Sequence, residues 1–223
     1  MIRTVIFDLD GTLIDTEKYF KVFWRKAAEA FGFDMSEEQA LELRSLGRPF
    51  APALLQKWFG ENFDYGAVRD KRRQIMKEYL DTRGIELKPG AEKALAWLKQ
   101  NGYRVALATA TPVDRATEHL KETGIYEYFD MIVSAAQVEK GKPAPDVYLF
   151  ACRQLGEEPE NCIAIEDSPN GVLSGHAAGL RVVMVPDQTE PDEALKEKLY
   201  ACISSLEELP RVLTGFYETD GKR

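Results

Sequence analysis

Short apolar runs of strand length alternate with helix-like segments through most of the chain. The runs predict five strands, at Thr4–Phe7, Arg104–Thr109, Met131–Ser134, Cys162–Glu166 and Arg181–Val185. Apolar residues recur at helical spacing between them, over Ala91–Asn101, Asp114–Thr123, Asp146–Leu155 and Asn170–Ala178. Strands that alternate with helices are typical of the α/β class, and here the pattern predicts a doubly wound parallel sheet.

The segment between the first two strands follows a different pattern. From residue 16 to residue 84 the strand pattern disappears, and apolar residues such as Tyr19, Phe23 and Ala27 recur only at helical spacing. We therefore predict an all-helical domain over residues 16–84, inserted into an α/β core formed by residues 1–15 and 85–223. We expect the last five residues, 219–223, to be frayed.

The composition is that of a globular protein. The chain has 223 residues, 44% of them apolar and 30% charged, which is enough for one core domain with a smaller insert. It has no apolar run near the ~20 residues of a membrane span and does not begin with a secretory signal pattern, so we expect a cytoplasmic protein without membrane contact. Three scattered cysteines without a CxxC motif indicate buried thiols that take no part in chemistry.

The charge distribution argues against a nucleic-acid partner. The formal net charge is −8, whereas binding to a phosphate backbone needs clustered Lys and Arg. We interpret the single basic cluster as the solvated face of an amphipathic helix; it consists of Arg69, Lys71, Arg72 and Arg73. Two histidines, His119 and His176, lie within predicted helices and are interpreted as surface or packing residues. Nothing in the pattern indicates an obligate protein partner.

Polar side chains that could take part in catalysis or ligand binding lie at the ends of four of the five predicted strands. Asp8 and Asp10 follow the first strand, Thr109 ends the second, Lys142 follows the third, and Glu166 and Asp167 end the fourth. In an open parallel sheet, ligands bind beyond the carboxyl ends of the strands. We therefore expect these side chains to converge at one edge of the sheet.

Carboxylates that converge at short range must take up protons or bind a cation. The cluster offers only oxygen ligands, with no histidine or cysteine nearby, and such a set suits Mg²⁺ better than Zn²⁺. Mg²⁺ keeps room for phosphate as a further ligand, and a lysine is a suitable point charge for phosphate. The residues alone therefore indicate a site for phosphoryl transfer.

Four motifs together resemble those of the haloacid dehalogenase superfamily. They are DLDGT after the first strand, AT at the end of the second, KPAPD after the third and IEDSPNG at the end of the fourth. The chain is most similar to the branch of sugar-phosphate phosphatases and β-phosphoglucomutases. This resemblance implies a Rossmann-like core with a four-helix cap, to which the helical segment corresponds.

The resemblance also implies a role for each candidate residue. Asp8 is expected to be the nucleophile that forms an aspartyl phosphate, and Asp10 the general acid and base. Mg²⁺ would be held by Asp8, the Asp10 backbone carbonyl and Asp167, with Glu166 as a weaker candidate. The phosphoryl group would be bound by Thr109, the Ala110 N–H and Lys142 rather than Lys140.

Three alternatives bear on the activity. A β-phosphoglucomutase would share the intermediate, and Arg48 stands where mutases carry an arginine for the second phosphate, although it also fits an ordinary surface arginine. Phe20 stands where those mutases usually carry a histidine, which favours a phosphatase. A receiver domain is disfavoured because its phosphorylated aspartate follows the third strand, where this chain has Lys142. Dehalogenation is disfavoured because it does not use a second aspartate such as Asp10.

Overall fold

Parallel strands form a single sheet at the centre of the protein. The structure is a computed structural model that describes residues 2–215, so the tail expected to fray, residues 219–223, lies outside the described residues. Within the described part, six strands pair in parallel in the order β3-β2-β1-β4-β5-β6. They are β1 Thr4–Phe7, β2 Arg104–Thr109, β3 Met131–Ser134, β4 Cys162–Glu166, β5 Arg181–Met184 and β6 Ala201–Cys202.

The central strand β1 is buried on both faces of the sheet. Val5 and Phe7 pack in the hydrophobic cluster on one face, and Ile6 packs in a second cluster on the other. Successive side chains of a strand point to opposite faces, so a run of apolar residues is stable only when helices cover both. The predicted α/β fold with a doubly wound parallel sheet is therefore confirmed.

Helices cover the sheet on both sides. Those of the core are α5 Ala91–Gln100, α6 Val113–Glu122, α7 Asp146–Leu155, α8 Pro169–Ala177, α9 Glu193–Lys196 and α10 Leu209–Leu213. The first four agree with the predicted helices within one residue at each end. Strand β6 and helices α9 and α10 were not predicted, because elements of two to five residues are too short to show a period. No helix within residues 2–215 combines the length and the apolar character of a membrane span.

Four helices lie between β1 and α5 and form what we call the helical insert, residues 16–84. They are α1 Glu17–Glu29, α2 Glu37–Glu42, α3 Phe50–Phe59 and α4 Tyr65–Arg83, and none of residues 16–84 lies in a strand. The insert has hydrophobic clusters of its own, one around Trp24, Leu55 and Phe63 and one around Phe23 and Met76. Helices α1 and α4 pack against each other.

Two backbone hydrogen bonds join the helical insert to the core. They connect Gly47 and Arg48 of the insert with Gly141 and Lys142 of the core. The Gly47 N–H donates to the Lys142 carbonyl at 2.8 Å, and the Gly141 N–H donates to the Arg48 carbonyl at 2.7 Å. Both glycines allow this approach because neither carries a Cβ. A Cβ on Gly47 would lie 2.5 Å from the Gly141 Cα, and one on Gly141 would lie 2.7 Å from the Gly47 Cα.

We predict that Gly47→Ala separates these two backbones. The added methyl group meets backbone atoms, which cannot rotate away as a side chain can, so both hydrogen bonds are expected to weaken. The free energy of unfolding should fall by about 1–3 kcal/mol, as measured by denaturant titration. Gly66→Ala, in helix α4, is the matched control and should leave stability unchanged or raise it, since Ala is favoured over Gly in helices. Equal stability of Gly47→Ala and the parent would contradict this account.

Candidate active site

Asp8 and Asp10 lie in a tight loop that continues from β1. The Asp8 N–H donates to the Ile165 carbonyl at 2.9 Å, which extends the pairing of β1 with β4 by one residue. Gly11 then turns the chain with φ at +86°, and a Cβ at this position would lie 2.4 Å from Asp167 Oδ2. Glycine is therefore required both for the backbone conformation and for the approach of the two loops.

Lys142 connects the ends of three strands. Its Nζ donates to Asp8 Oδ1 at 2.6 Å, to Glu166 Oε1 at 2.6 Å and to the Ala108 carbonyl at 3.0 Å. The residue is 1% exposed. Burial alone would lower the pKa of Lys142, but Asp8 and Glu166 raise it above its ordinary value, so the side chain stays an ammonium. Lys140, which was not expected to take part, is exposed.

Three carboxylates form a buried acidic cluster beside Lys142. Asp8, Glu166 and Asp167 each offer a carboxylate oxygen within 4.8 Å of the others. Burial raises the pKa of Asp8 well above its ordinary value, Lys142 opposes this, and Glu166 and Asp167 raise it further. Burial also raises the pKa of Asp167 to about 7, against the influence of Arg44. Burial and, to a smaller extent, the neighbouring carboxylates disfavour the charged forms of Asp8 and Asp167, and a bound cation would favour them.

Among residues 2–215, one fully buried oxygen of this cluster has no hydrogen-bond partner. Glu166 Oε1 accepts from Lys142 and from the Tyr148 hydroxyl at 2.5 Å, whereas the buried Oε2 accepts from none of the described residues. Thr12 donates to Asp167 Oδ1 at 3.4 Å. A buried oxygen without a partner is costly, and it is consistent with a metal ligand of the oxygen type that Mg²⁺ prefers.

Asp10 is held by two threonine hydroxyls. Thr16 donates to Asp10 Oδ1 at 2.6 Å and Thr111 donates to Oδ2 at 2.8 Å. Asp10 is 6% exposed and lines the cavity described below. Thr109 Oγ1 accepts from the Thr111 N–H at 3.0 Å, so the proton of the Thr109 hydroxyl remains available to another acceptor.

A cavity of about 360 Å³ lies between the strand ends and the helical insert. Its lining includes the predicted residues Asp8, Asp10, Thr109, Ala110 and Arg48. Lys142, Glu166 and Asp167 lie beneath this lining and are at most 1% exposed. The structure therefore brings seven predicted residues to the carboxyl edge of the sheet, six with their side chains and Ala110 with its backbone, while Arg48 lines the cavity from the insert and is exposed.

Arg44 is a site residue that the sequence reasoning missed. Its Nη2 contacts Asp167 Oδ2, its Nη1 donates to Thr189 Oγ1 at 3.0 Å, and its Nε lies 3.5 Å from Glu17 Oε2. Arg44 and Glu17 are 3% and 2% exposed. Arg44 precedes SLGR in a stretch where charged residues alternate with leucines, so no local signal distinguishes it from a surface arginine.

Two interpretations of polar residues were wrong or incomplete. The basic cluster of helix α4 was interpreted as a solvated face, but Arg69, Arg72 and Arg73 line the cavity, and Arg72 is only 8% exposed. His119 was interpreted as a surface or packing residue; it is 7% exposed and also lines the cavity. The helical period gives the face of a helix but not the neighbour that this face meets. His176 is exposed, as expected.

The chain matches a known protein family and is similar to several characterised or solved proteins. The model of the haloacid dehalogenase-like hydrolases matches residues 2–179. Phosphorylated carbohydrates phosphatase of Thermotoga maritima is 33% identical over 219 residues, covering 95% of this chain and 98% of its own. The crystal structure of β-phosphoglucomutase from Clostridium difficile superposes with a TM-score of 0.81 at 25% identity, covering 97% of this chain and 99% of that chain.

A further solved structure has a bound ligand. It is a variant of CbbY from Rhodobacter sphaeroides in complex with xylulose-(1,5)bisphosphate, with a TM-score of 0.78, 26% identity and coverage of 94% of this chain and 96% of that chain. These similarities confirm the resemblance predicted from the four motifs, and they confirm the expectation of a hydrolytic enzyme. The chain belongs to the haloacid dehalogenase-like hydrolase family.

Proposed function

We propose that this protein is a Mg²⁺-dependent phosphatase of small phosphorylated sugars that works through an aspartyl phosphate on Asp8. The observation that carries the proposal is the position of Asp8, which is buried at the floor of the cavity, 2.6 Å from Lys142 and beside Glu166 and Asp167. The relative from Thermotoga maritima, named as a phosphatase of phosphorylated carbohydrates, supports the substrate class.

Asp8 has one carboxylate oxygen available for attack. Lys142 holds Oδ1, whereas Oδ2 accepts no hydrogen bond from the described residues. In the proposed first step, an Asp8 oxygen forms a bond to phosphorus while the bond from phosphorus to the ester oxygen breaks. The sugar leaves as an alcohol, and the phosphoryl group stays on Asp8. Water then attacks phosphorus, releases inorganic phosphate and restores the Asp8 carboxylate.

Asp10 is positioned to move the protons of both steps. As the ester bond breaks, Asp10 gives a proton to the leaving oxygen; as water attacks, it takes one back. Thr16 and Thr111 hold its two oxygens, which fixes the carboxyl plane at the cavity surface. The threonine hydroxyls can rotate to donate or to accept, so they accommodate both protonation states of Asp10.

The transferring phosphoryl group meets several donors in this proposal. Thr109 and Ala110 line the cavity and would offer a hydroxyl and a backbone N–H, and the Lys142 ammonium, which contacts Asp8, would add its positive charge. Donors held in place before the reaction stabilise charge without reorganisation. Arg48, at the exposed edge of the cavity, is placed to contact a more distant part of the substrate.

The acidic cluster is the proposed Mg²⁺ site. Asp8, the Asp10 backbone carbonyl and Asp167 would hold the ion, with Glu166 contributing through its unpartnered Oε2. When bound, the ion supplies positive charge that allows a phosphate dianion to approach an acidic pocket. Arg44 neutralises part of the charge of Asp167 from the side of the helical insert.

We further propose that residues 16–84 act as a cap domain over the core formed by residues 1–15 and 85–223. The insert has its own hydrophobic clusters, contacts the core at Gly47 and Gly141, and supplies cavity residues such as Phe20 and Trp24. A cap of this kind would exclude bulk water from the reacting groups and select the substrate.

A mutase remains the second candidate, and Arg48 at the cavity favours it. The observation against it is Phe20, which lines the cavity and has the Arg72 guanidinium carbon 4.4 Å from its ring centroid. Phe20 offers no hydrogen bond to a sugar hydroxyl, so water is expected to compete better for the phosphoryl group. Membership in a hydrolase family sets the receiver-domain alternative aside.

We predict that Asp8→Asn abolishes turnover, with a loss of at least about 1,000-fold in kcat, because an amide is a far poorer nucleophile than a carboxylate. The rate of phosphate release from a chromogenic phosphomonoester in Mg²⁺ measures this effect. The control is Asp81→Asn, which removes an exposed carboxylate that pairs with Lys77 outside the cavity lining, and it should retain the parental rate. If Asp8→Asn retains a tenth of the activity, Asp8 is not the nucleophile.

We predict that Asp167→Asn raises the Mg²⁺ concentration for half-maximal activity by at least about 10-fold, because one charged metal ligand is replaced by a neutral one. A Mg²⁺ titration of phosphatase activity gives the value, and thermal unfolding identifies any variant that is no longer folded. Glu193→Gln, which changes an exposed carboxylate that pairs with Lys196 outside the acidic cluster, is the control. Titrations of Asp167→Asn and the parent that superpose would place the metal elsewhere.

We predict from Phe20 of the helical insert that phosphatase activity exceeds mutase activity. In a ³¹P NMR time course on β-glucose 1-phosphate with a trace of the 1,6-bisphosphate, we expect inorganic phosphate to accumulate ahead of glucose 6-phosphate. The reason is the lack of a polar side chain at Phe20 to activate the sugar hydroxyl. Earlier accumulation of glucose 6-phosphate would establish the mutase instead.

A further inference from the structure

Two cysteines meet between helix α7 and the start of strand β4. Cys152 lies in the last turn of α7 and Cys162 is the first residue of β4, and their sulfur atoms are 3.7 Å apart. The chain has no CxxC motif, and spacing along the sequence does not indicate that these two thiols are neighbours. The fold therefore creates a dithiol, Cys152 and Cys162, which we call the cysteine pair.

The cysteine pair lies at the opposite end of β4 from the candidate active site. Strand β4 begins at Cys162 and ends at Glu166, which belongs to the acidic cluster. Cys152 is 2% exposed and Cys162 is fully buried, and both belong to the hydrophobic cluster that contains Ile6. The proposed phosphatase mechanism uses neither thiol.

The separation of the two sulfur atoms is close to that needed for a disulfide. Bonded sulfur atoms lie about 2.05 Å apart, so the Cys152 and Cys162 sulfurs would have to approach each other by about 1.7 Å. Rotations about the two Cα–Cβ bonds can supply a movement of this size. The pair can therefore be joined while α7 stays packed on the sheet.

The two thiols differ in acidity. The hydrogen bond with Cys162 lowers the pKa of the Cys152 thiol, although burial opposes this shift. The same hydrogen bond and burial raise the pKa of Cys162. Because the thiolate is the reactive form of a cysteine, Cys152 is the expected nucleophile, and Cys162 is the thiol that would react with its oxidised product.

A short surface segment connects the two cysteines and gives a route for a small oxidant. None of residues 153–161 is buried, and Cys162 Sγ lies 3.6 Å from the Glu158 carbonyl oxygen of this segment. Segments with few buried contacts open locally at a lower free-energy cost than the core. Such an opening would expose Cys162 without unfolding the sheet.

We propose that the cysteine pair is a redox modification site, which hydrogen peroxide closes into a disulfide between α7 and β4. In the first step the Cys152 sulfur forms a bond to one peroxide oxygen while the O–O bond breaks, which gives a sulfenic acid and, with the thiol proton, one water. The Cys162 sulfur then attacks the Cys152 sulfur, the S–O bond breaks, and the leaving hydroxide takes the Cys162 proton to form a second water. Two electrons pass from the thiols to the peroxide, and a dithiol reductant reverses the reaction.

The disulfide would clamp two elements that also meet at the active site. Helix α7 carries Tyr148, whose hydroxyl donates to Glu166 at the other end of β4. A bond between Cys152 and Cys162 would hold α7 and β4 together at a second place and close a ring of residues 152–162. Such a link stabilises a protein mainly by restricting its unfolded chain. The clamp does not depend on the proposed phosphatase activity.

Peptide mapping by mass spectrometry tests the disulfide directly. The full chain would be treated with hydrogen peroxide, alkylated with N-ethylmaleimide in denaturant and digested with trypsin, which cleaves after Arg153 and so places the two cysteines in separate peptides. We expect these peptides to be cross-linked, with a mass lower than their sum by two hydrogen atoms, and to separate after treatment with dithiothreitol. Alkylation of both cysteines, oxygen addition at Cys152 alone, or a disulfide to Cys202 would overturn the proposal.

Thermal unfolding tests the clamp. The oxidised chain should unfold at a midpoint at least about 4 °C above that of the reduced chain. Cys202→Ser keeps the cysteine pair and should show the same rise. Cys152→Ala and Cys162→Ala each remove one thiol of the pair, and their midpoints should not rise after the same treatment. A cross-link without a higher midpoint, or a rise that persists in both alanine variants, would overturn the clamp.

Discussion

The ammonium group of Lys142 is the interaction on which the site depends. Its three donors meet acceptors at the ends of β1, β2 and β4, three adjacent strands of the sheet. A buried charge is tolerated only when its hydrogen bonds and its countercharge are both supplied, and Lys142 has both. Because every donor is used, the ammonium fixes the position of Asp8 relative to Glu166. The order of the strands in the sheet thus determines how the reacting groups are placed relative to one another.

The cavity has an excess of negative charge at its floor, around Lys142, and an excess of positive charge on the opposite side. At the floor, the carboxylates of Asp8, Glu166, Asp167 and Glu17 face the two cations Lys142 and Arg44. On the opposite side, arginines outnumber carboxylates. A cation bound at the carboxylates and an anion bound at the arginines would neutralise both excesses of charge. A phosphorylated substrate bound together with Mg²⁺ supplies both ions.

The sequence was informative wherever position along a strand determines position in space. Asp8, Thr109 and Asp167 could be predicted because residues that follow parallel strands must emerge at one edge of the sheet. Tyr148 and the arginines of α4 could not be assigned in this way. A helical period identifies a face, but Tyr148 at an apolar position donates to Glu166, and Arg72 at a polar one is buried against Phe20 and Trp24. Those contacts depend on how helices pack, which local spacing does not specify.

The position of β1 at the middle of the sheet has a consequence for the order of folding. Asp8 leaves the ribosome early, but Lys142 follows 134 residues later, and Asp167 lies 155 residues beyond Thr12. The contacts of the helical insert are closer in sequence, and α1 and α4 can pack while the rest of the chain is still being made. We therefore expect the nascent chain to carry a folded insert beside a central strand that stays unpaired until β2 has been synthesised, and Asp8 to meet its cation only after Lys142 has followed.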